Sequence, residues 1–300
     1  MDSGYQIQMH YPMKAFQIFL SFIFVLSLTH TSCTKIDAPY TIIQHHHISD
    51  TIMSWDTIPA VRKVLLEDYT GHKCVNCPDA ALTAKTLEEQ YGGRLLVMAV
   101  HAGFYALPGS GEYALDLRTT YGNEWNNEFG FVSYPNGMVN RKVFESSRVL
   151  GPGKWASSIS QIIDQQPDAQ MMITNQYNDG TKKIQTTVYN RFINEMPGNY
   201  TLTVCILEDS ITGAQKNNNP NIGPVPDWYD YIFNEVLKSS LNGSYGEDLV
   251  TDPNPEVTYM AKYETLLAEG LNANNCWILA FISDKSTREI IQAEKQKLVH

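Results

Sequence analysis

Residues 61–100 restrict the fold more than any other stretch of this chain. Val61 to Tyr69 (VRKVLLEDY) is an apolar-rich run suited to a buried strand, and Thr70-Gly71-His72-Lys73 turns it into Cys74-Val75-Asn76-Cys77-Pro78. Asp79 to Tyr91 then places Ala80, Ala81, Ala84, Leu87 and Tyr91 on one side of a helix, with Lys85, Glu88 and Glu89 outside. Pro78 suits a first helical turn, where its missing N–H has no partner to lose. Gly92-Gly93 ends the helix and Arg94 to Val100 (RLLVMAV) is the next buried strand.

In a strand–CxxC–helix–strand unit the cysteine pair reads as redox rather than zinc. Cys74 is expected at the helix N-terminus, where free N–H groups and the macrodipole stabilise a thiolate. Cys77, one turn on, is placed to form a disulfide or to resolve a mixed one. His72 and Lys73 add positive or protonatable character beside the attacking sulfur. Asp68, six residues before Cys74, is either a buried carboxylate that shuttles protons to the second thiol or an edge charge. A structural zinc would want a second ligand pair. Cys205 and Cys276 are distant and not a CxxC, so a metal site with His72 and His101 is the minor alternative and none is expected.

Beyond this unit, His101 to Gly130 is an insertion rich in glycine and aromatics, in which Tyr121, Trp125 and Phe129 share a helix face despite Gly122. Gly137 to Phe144 reads as a strand, and Trp155 to Gln165 as a helix introduced by Gly151-Pro152-Gly153. The cysteine segment and Phe131-Val132-Ser133-Tyr134-Pro135-Asn136-Gly137-Met138-Val139 together resemble the thioredoxin superfamily. Lys73 replaces the usual Trp before the first cysteine, and Val75-Asn76 the usual Gly-Pro between the two. The resemblance implies a cis Pro135 that faces the CxxC and presents backbone to a bound peptide; an ordinary trans turn is the alternative. It implies an α/β thioredoxin-like domain over residues 61–166, with the insertion at 101–130.

From Asp168 the texture changes to strands and turns. Ala169 to Tyr177 and Lys182 to Phe192 flank Asn178-Asp179-Gly180, a strong hairpin signal. Tyr200 to Glu208, Glu256 to Tyr263 and Cys276 to Ser283 alternate as strands, and a last hairpin turns near Asp284-Lys285-Ser286-Thr287. Trp228 to Ser240 reads as a short helix or capping loop, preceded by the polar loop Asn217-Asn218-Asn219-Pro220. Residues 167–300 are therefore expected to form an all-β, sandwich-like (immunoglobulin-like) domain. Cys205 and Cys276 either bridge two strands or stand as separate small buried residues. No triad, paired-carboxylate or phosphate-loop arrangement is seen in this half, and no cofactor is expected.

The only long apolar run, Ala15 to Leu28, follows Lys14 and ends in the small polar residues Thr29 to Ser32 before Cys33. Its fourteen residues would span about 21 Å as a helix, short of the roughly 30 Å hydrocarbon core. That is a secretory signal over residues 1–32, with Met13-Lys14 the more natural start. Leu28-Thr29-His30-Thr31-Ser32-Cys33 resembles a bacterial lipoprotein signal, although His30 stands where Leu or Val is usual. The resemblance makes Cys33 the lipid attachment point and the membrane a partner through that lipid. Residues 33–60 read as a linker, its His45-His46-His47 solvated rather than metal-binding. At 300 residues, 43% hydrophobic and 18% charged, the chain suits two folded domains. A net charge of -10 argues against nucleic-acid binding, and a mean hydropathy of -0.27 against a polytopic membrane protein.

Leu66-Glu67-Asp68-Tyr69-Thr70-Gly71-His72-Lys73-Cys74-Val75-Asn76-Cys77-Pro78, with Tyr134-Pro135-Asn136-Gly137, Asn140-Arg141 and the terminal strand near Glu289 to Leu298, resemble the outer-membrane-protein-28-related lipoproteins. The resemblance implies the cell envelope and an outer-membrane lipoprotein facing the periplasm or the surface. Two functions follow as expectations. One is thiol–disulfide exchange on an exported protein or peptide, with Cys74 attacking, Cys77 resolving and Pro135 orienting the partner. The other is a surface-exposed binding protein or adhesin whose CxxC is a structural disulfide.

Overall fold

The computed structural model describes residues 42–48 and 55–299, which all fall within one compact unit, Pro39–His300. The apolar run at 15–28 and Cys33 lie outside the described residues.

Strand β2 (Val64–Thr70) runs parallel to β3 (Leu95–His101), in register from Val64↔Leu95 to Thr70↔His101, with helix α1 (Cys77–Tyr91) as the crossover. Every residue of β2 is buried, so both of its faces are covered, the charged Glu67 and Asp68 included. Helix α2 (Thr120–Glu128) starts at Thr119, whose Oγ1 accepts from the Gly122 N–H at 2.9 Å. A Cβ on Gly122 would stand 2.9 Å from a Val100 methyl, so glycine lets this helix approach β3. Strand β4 (Asn136–Val139) pairs antiparallel with β2, and α3 (Pro152–Ser160) inserts Trp155 and Ile159 beside Val64, Leu66 and Val97.

The remaining strands are β5 (Ala169–Asn178), β6 (Lys183–Phe192), β7 (Asn199–Glu208), β8 (Ile211–Lys216), β9 (Asp227–Phe233), β10 (Val236–Ser240), β11 (Glu247–Thr251), β12 (Thr258–Leu266), β13 (Cys276–Asp284) and β14 (Ile290–Lys297). The largest sheet has the order β14-β13-β7-β10-β3-β2-β4, with β11 also on β7. Strands from both sides of residue 167 thus share one sheet, joined through the parallel pair Val236↔Ala99. The sheet curls until Ile290 N–H donates to Asn140 O at 2.8 Å, bringing β14 to the end of β4. Inside the curl lie Leu65, Tyr69, Met98, Leu207, Leu279 and Phe281, with Trp125 of α2. Helices α1 and α3 cover one arc outside. A second sheet, in the order β1 (Ile42–Ile48), β12, β6, β5, covers another, packing Val188, Phe192 and Tyr259 against Leu202, Val204 and Ile278. Alternate residues of β7 therefore enter different cores: Val204 and Ile206 one, Cys205 and Leu207 the other.

Two expectations are corrected. The spacer is not without structure, because Ile42–Ile48 forms strand β1 along β12, with His45, His46 and His47 opposite Ala261, Met260 and Tyr259. Its ladder partner lies more than two hundred residues away, so nothing local announces it. Residues 228–240, expected as a helix or capping loop, are the strands β9 and β10. Their aromatic and β-branched content suits extended chain, and β8 and β7 supply the partners.

A buried ion pair sits inside the curled sheet. Arg141, just past β4, gives Nε to Glu67 Oε2 at 2.9 Å and Nη2 to Glu67 Oε1 at 2.8 Å. Its guanidinium lies 4.9 Å from the Trp125 ring centre, 5.0 Å from Phe281 and 5.1 Å from Phe129. Removing one partner leaves an uncompensated buried charge, so Arg141→Met and Glu67→Leu should each lower unfolding free energy in urea by roughly 3–5 kcal/mol. The double variant should lose less than the sum of the two.

Candidate functional site

The loop between β2 and α1 is shaped by Gly71, where a Cβ would stand 2.4 Å from the backbone carbon of Tyr105. Lys73 N–H donates to Tyr105 O at 3.0 Å and Cys74 N–H to Gly71 O at 2.9 Å, so the cysteine turn is held against the segment following β3. Cys74 and Cys77 are joined as a disulfide, with their Cα atoms 5.4 Å apart. Helix α1 begins at Cys77 with Asn76 as its cap, which places Cys74 in the turn ahead of the helix rather than at its N-terminus. The tight turn Cys74–Cys77, closed by Cys77 N–H to Cys74 O at 3.3 Å, delays the helix by three residues.

Both cysteines are buried, at 3% and 2% exposure, and residues 215–219 contribute to this. The β8–β9 hairpin arises between β7 and β10 and lays its connecting segment along the cysteine loop. Lys216 N–H donates to His72 O at 2.8 Å, Gln215 Nε2 to Cys74 O at 2.9 Å and Asn218 N–H to Val75 O at 3.2 Å. Asn218 Nδ2 reaches Asn76 Oδ1 at 2.6 Å and Asn219 Nδ2 reaches Asp79 Oδ1 at 2.7 Å. Sequence reasoning passed over this arm. Its signal was the run Asn217-Asn218-Asn219, three amide side chains that bind backbone and side-chain oxygens here instead of water.

The other expected residues fall as follows. Asp68 is on β2 opposite Ala99 and Gly137, 3% exposed, and its Oδ1 has no hydrogen-bond partner. Burial pushes its carboxyl up to about 7. Asp68 and Pro78, next to Cys77, line one cavity. His72 is buried and stacked on Tyr113 at 5.8 Å; burial first, then Lys73, holds its imidazole below the ordinary range. His72 therefore lends no positive charge to the sulfur at neutral pH, contrary to expectation. Lys73 stands over the Phe104 ring at 5.5 Å. His101 is driven to about 3 by burial and lies edge-on to Phe233. Tyr134–Pro135 is a cis bond, and Asn136 after it pairs with Tyr69, at the sheet end from which the cysteine loop leaves. Cys205 and Cys276 are free, buried thiols in different cores, each pushed up to about 12 by burial. Among the described residues, no three His, Cys, Asp or Glu side chains converge as metal ligands.

Asp68 should make its own contribution to the pH dependence of stability, beside those of Glu235 and His101, and substitution isolates it. Its folded pKa, about 7, lies above the value of 3.8 expected for the free group, so between these pH values the folded chain keeps a proton that the unfolded chain releases. The Asp68 contribution thus falls as pH rises from about 4 to about 7 and is level above, while buried His101 contributes with the opposite sign below about 6.5. Asp68→Asn should be more stable than the parent by roughly 3–4 kcal/mol at alkaline pH and nearly equal to it at about pH 4, measured by urea unfolding.

The structure is similar to that of HBP35 of Porphyromonas gingivalis, with a TM-score of 0.59 and 18% identity over 80% of this chain and 76% of that one, a likeness of fold. A domain of the outer membrane lipoprotein Omp28 from Porphyromonas gingivalis shares 24% identity, with a TM-score of 0.29, over 44% of this chain and 88% of that one. No curated protein sequence matches. The family model described as Outer membrane protein Omp28 matches residues 122–300, more than half of the sequence. The chain therefore belongs to the Omp28 family and is a protein of the outer membrane.

Proposed function

We propose that this protein is a lipoprotein tethered through Cys33, whose thioredoxin-like unit exchanges disulfides with exported proteins or peptides through Cys74 and Cys77. The observation that carries the reading is the bonded pair itself, set between a parallel-sheet strand and its crossover helix. The buried Asp68 lies on that strand, and Pro135 lies at the same sheet end. A thiolate of a reduced partner attacks Cys74 Sγ, the Cys74–Cys77 bond breaks, and Cys77 leaves as a thiolate that takes its proton from the Asp68 carboxyl. The partner's second thiolate then attacks the mixed disulfide and expels Cys74 as a thiolate. The partner gains a disulfide, and the pair is reduced to a Cys77 thiol and a Cys74 thiolate that takes its proton from solvent.

The depth of the pair favours a second reading, in which the disulfide is structural and the protein is a binding protein or adhesin. With both sulfurs buried beneath Gln215–Asn219, exchange requires that this segment lift first.

Trapping separates the two. A Cys77→Ala protein expressed in the envelope should accumulate mixed disulfides through Cys74, seen as dithiothreitol-sensitive adducts on non-reducing gels. A complete absence of adducts selects the structural reading. Gln215→Ala combined with Asn218→Ala removes two of the five contacts that hold the arm down, the side-chain bonds to Cys74 O and Asn76 Oδ1. Reduction of the disulfide by dithiothreitol should then speed up by roughly tenfold or more, at about 1 kcal/mol per lost bond, with the folded circular dichroism unchanged.

A further inference from the structure

A cavity of about 920 Å³ lies between α1 and the β8–β9 arm, and of its lining only Asp68 enters the proposed exchange of sulfur bonds. Its size is that of a small-molecule site. Pro78 and Leu82 form the helix side, and Ile222, Trp228 and Tyr231 the arm side. Trp228 and Tyr231 meet edge to face with ring centres 5.0 Å apart, so the arm side is an aromatic corner rather than a plane.

The charge on the wall is unbalanced. Six carboxylates, Asp68, Glu88, Asp209, Asp230, Glu235 and Glu294, face three lysines. Lys63 is paired with Glu294, and Lys295 with both Glu88 and Glu235. Lys85 leans away toward Glu89 at 3.9 Å. Asp209 is occupied by the Trp277 indole N–H at 2.6 Å and by Glu235 N–H at 2.7 Å. That leaves Asp230 exposed on the arm and Asp68 buried, with Oδ1 unpartnered. An anion meets repulsion here, and a purely apolar guest leaves the buried Asp68 oxygen unsatisfied.

We propose that this cavity binds an amphipathic organic cation of the arylalkylamine class, its ring against Trp228 and Tyr231 and its ammonium on Asp68. A primary amine supplies the donor that Asp68 lacks and a charge opposite to the excess on the wall. Tyr231 and Asp68 line the same cavity, and burial first, then the Asp68 charge, pushes the Tyr231 phenol up to about 12. The proposal stands whether or not the disulfide exchanges.

Tryptamine, its neutral analogue 3-ethylindole and the anion indole-3-acetate test it by isothermal titration against the oxidised full chain. Tryptamine should bind roughly tenfold or more tightly than 3-ethylindole, the value of one charge-assisted hydrogen bond, and indole-3-acetate more weakly than either. Asp68→Asn should erase the preference for the amine. Trp228→Ala should weaken tryptamine and 3-ethylindole alike. Asp230→Lys, at an exposed position that leaves the core untouched, should weaken tryptamine and not 3-ethylindole. Equal binding of the amine and its neutral analogue, no binding of tryptamine at millimolar concentration, or a preference that survives both aspartate variants would overturn the assignment.

Discussion

The bidentate pair of Glu67 and Arg141 is the contact on which the arrangement around β2 depends. Taking two charges out of water costs several kcal/mol per ion, and the attraction between them offsets this only where geometry is good and other groups help. Here both nitrogens of the fork meet both carboxylate oxygens, and three aromatic rings stand within 5.1 Å of the guanidinium. Arg141 is reached from β4, Trp125 and Phe129 from α2 and its cap, and Phe281 from β13. Four parts of the chain are thereby set around one residue of β2. Because side chains alternate along a strand, fixing Glu67 inward fixes Asp68 outward, under α1 and the arm. A slip of one residue would carry Asp68 into the inner core in place of Glu67, with a side chain one methylene shorter, and turn Glu67 out under α1.

The parts of this fold that were legible are those whose cause is local. The strand–turn–helix–strand from residue 61 to 100 announces itself through an apolar run, a proline at the helix start and a glycine pair at its end, and the structure has each. The turn at Asn178-Asp179-Gly180 joins β5 to β6 in the register that such a turn allows, closing at Asn178↔Lys183. The spacing of Tyr121, Trp125 and Phe129 gave α2, and its weak point, Gly122, has a packing reason that only the neighbour Val100 reveals. What was not legible depends on residues far apart. Glu67 finds Arg141 across 74 positions, and residues 215–219 find the cysteine loop across roughly twice that separation. Of the candidate site, the cysteines and Asp68 could be read from spacing, whereas the neutral state of His72 and the depth of the pair could not, because both follow from burial.

The arm sets how the disulfide meets the outside. Its five hydrogen bonds to the loop, at a net value of about 1 kcal/mol each, would hold the covered state by up to about 5 kcal/mol and leave roughly one molecule in several thousand uncovered. Such a population is small beside an open active site and large beside global unfolding. The same bonds run through backbone groups of His72 and Val75, which resembles the way an extended partner would pair along this loop. A partner would therefore compete for these very atoms.

The cavity and the joint in the large sheet have one origin. Strand β3 pairs with β2 along its whole length but with β10 at a single position, Ala99↔Val236. Earlier along β3 the sheet parts, and the lining passes from Leu96 and Val97 on one side to Asp209, Glu235 and Trp277 on the other. In place of a ladder, Lys295 of β14 spans the parting, reaching Glu88 on α1 at 3.1 Å and Glu235 before β10. A salt link across a gap constrains distance without filling space, whereas ladder hydrogen bonds would draw the strands to about 4.8 Å and close it. The chain thus joins β3 to β10 only at Ala99, the partner of Asp68 on β2, and Asp68 lines the cavity that the parting leaves.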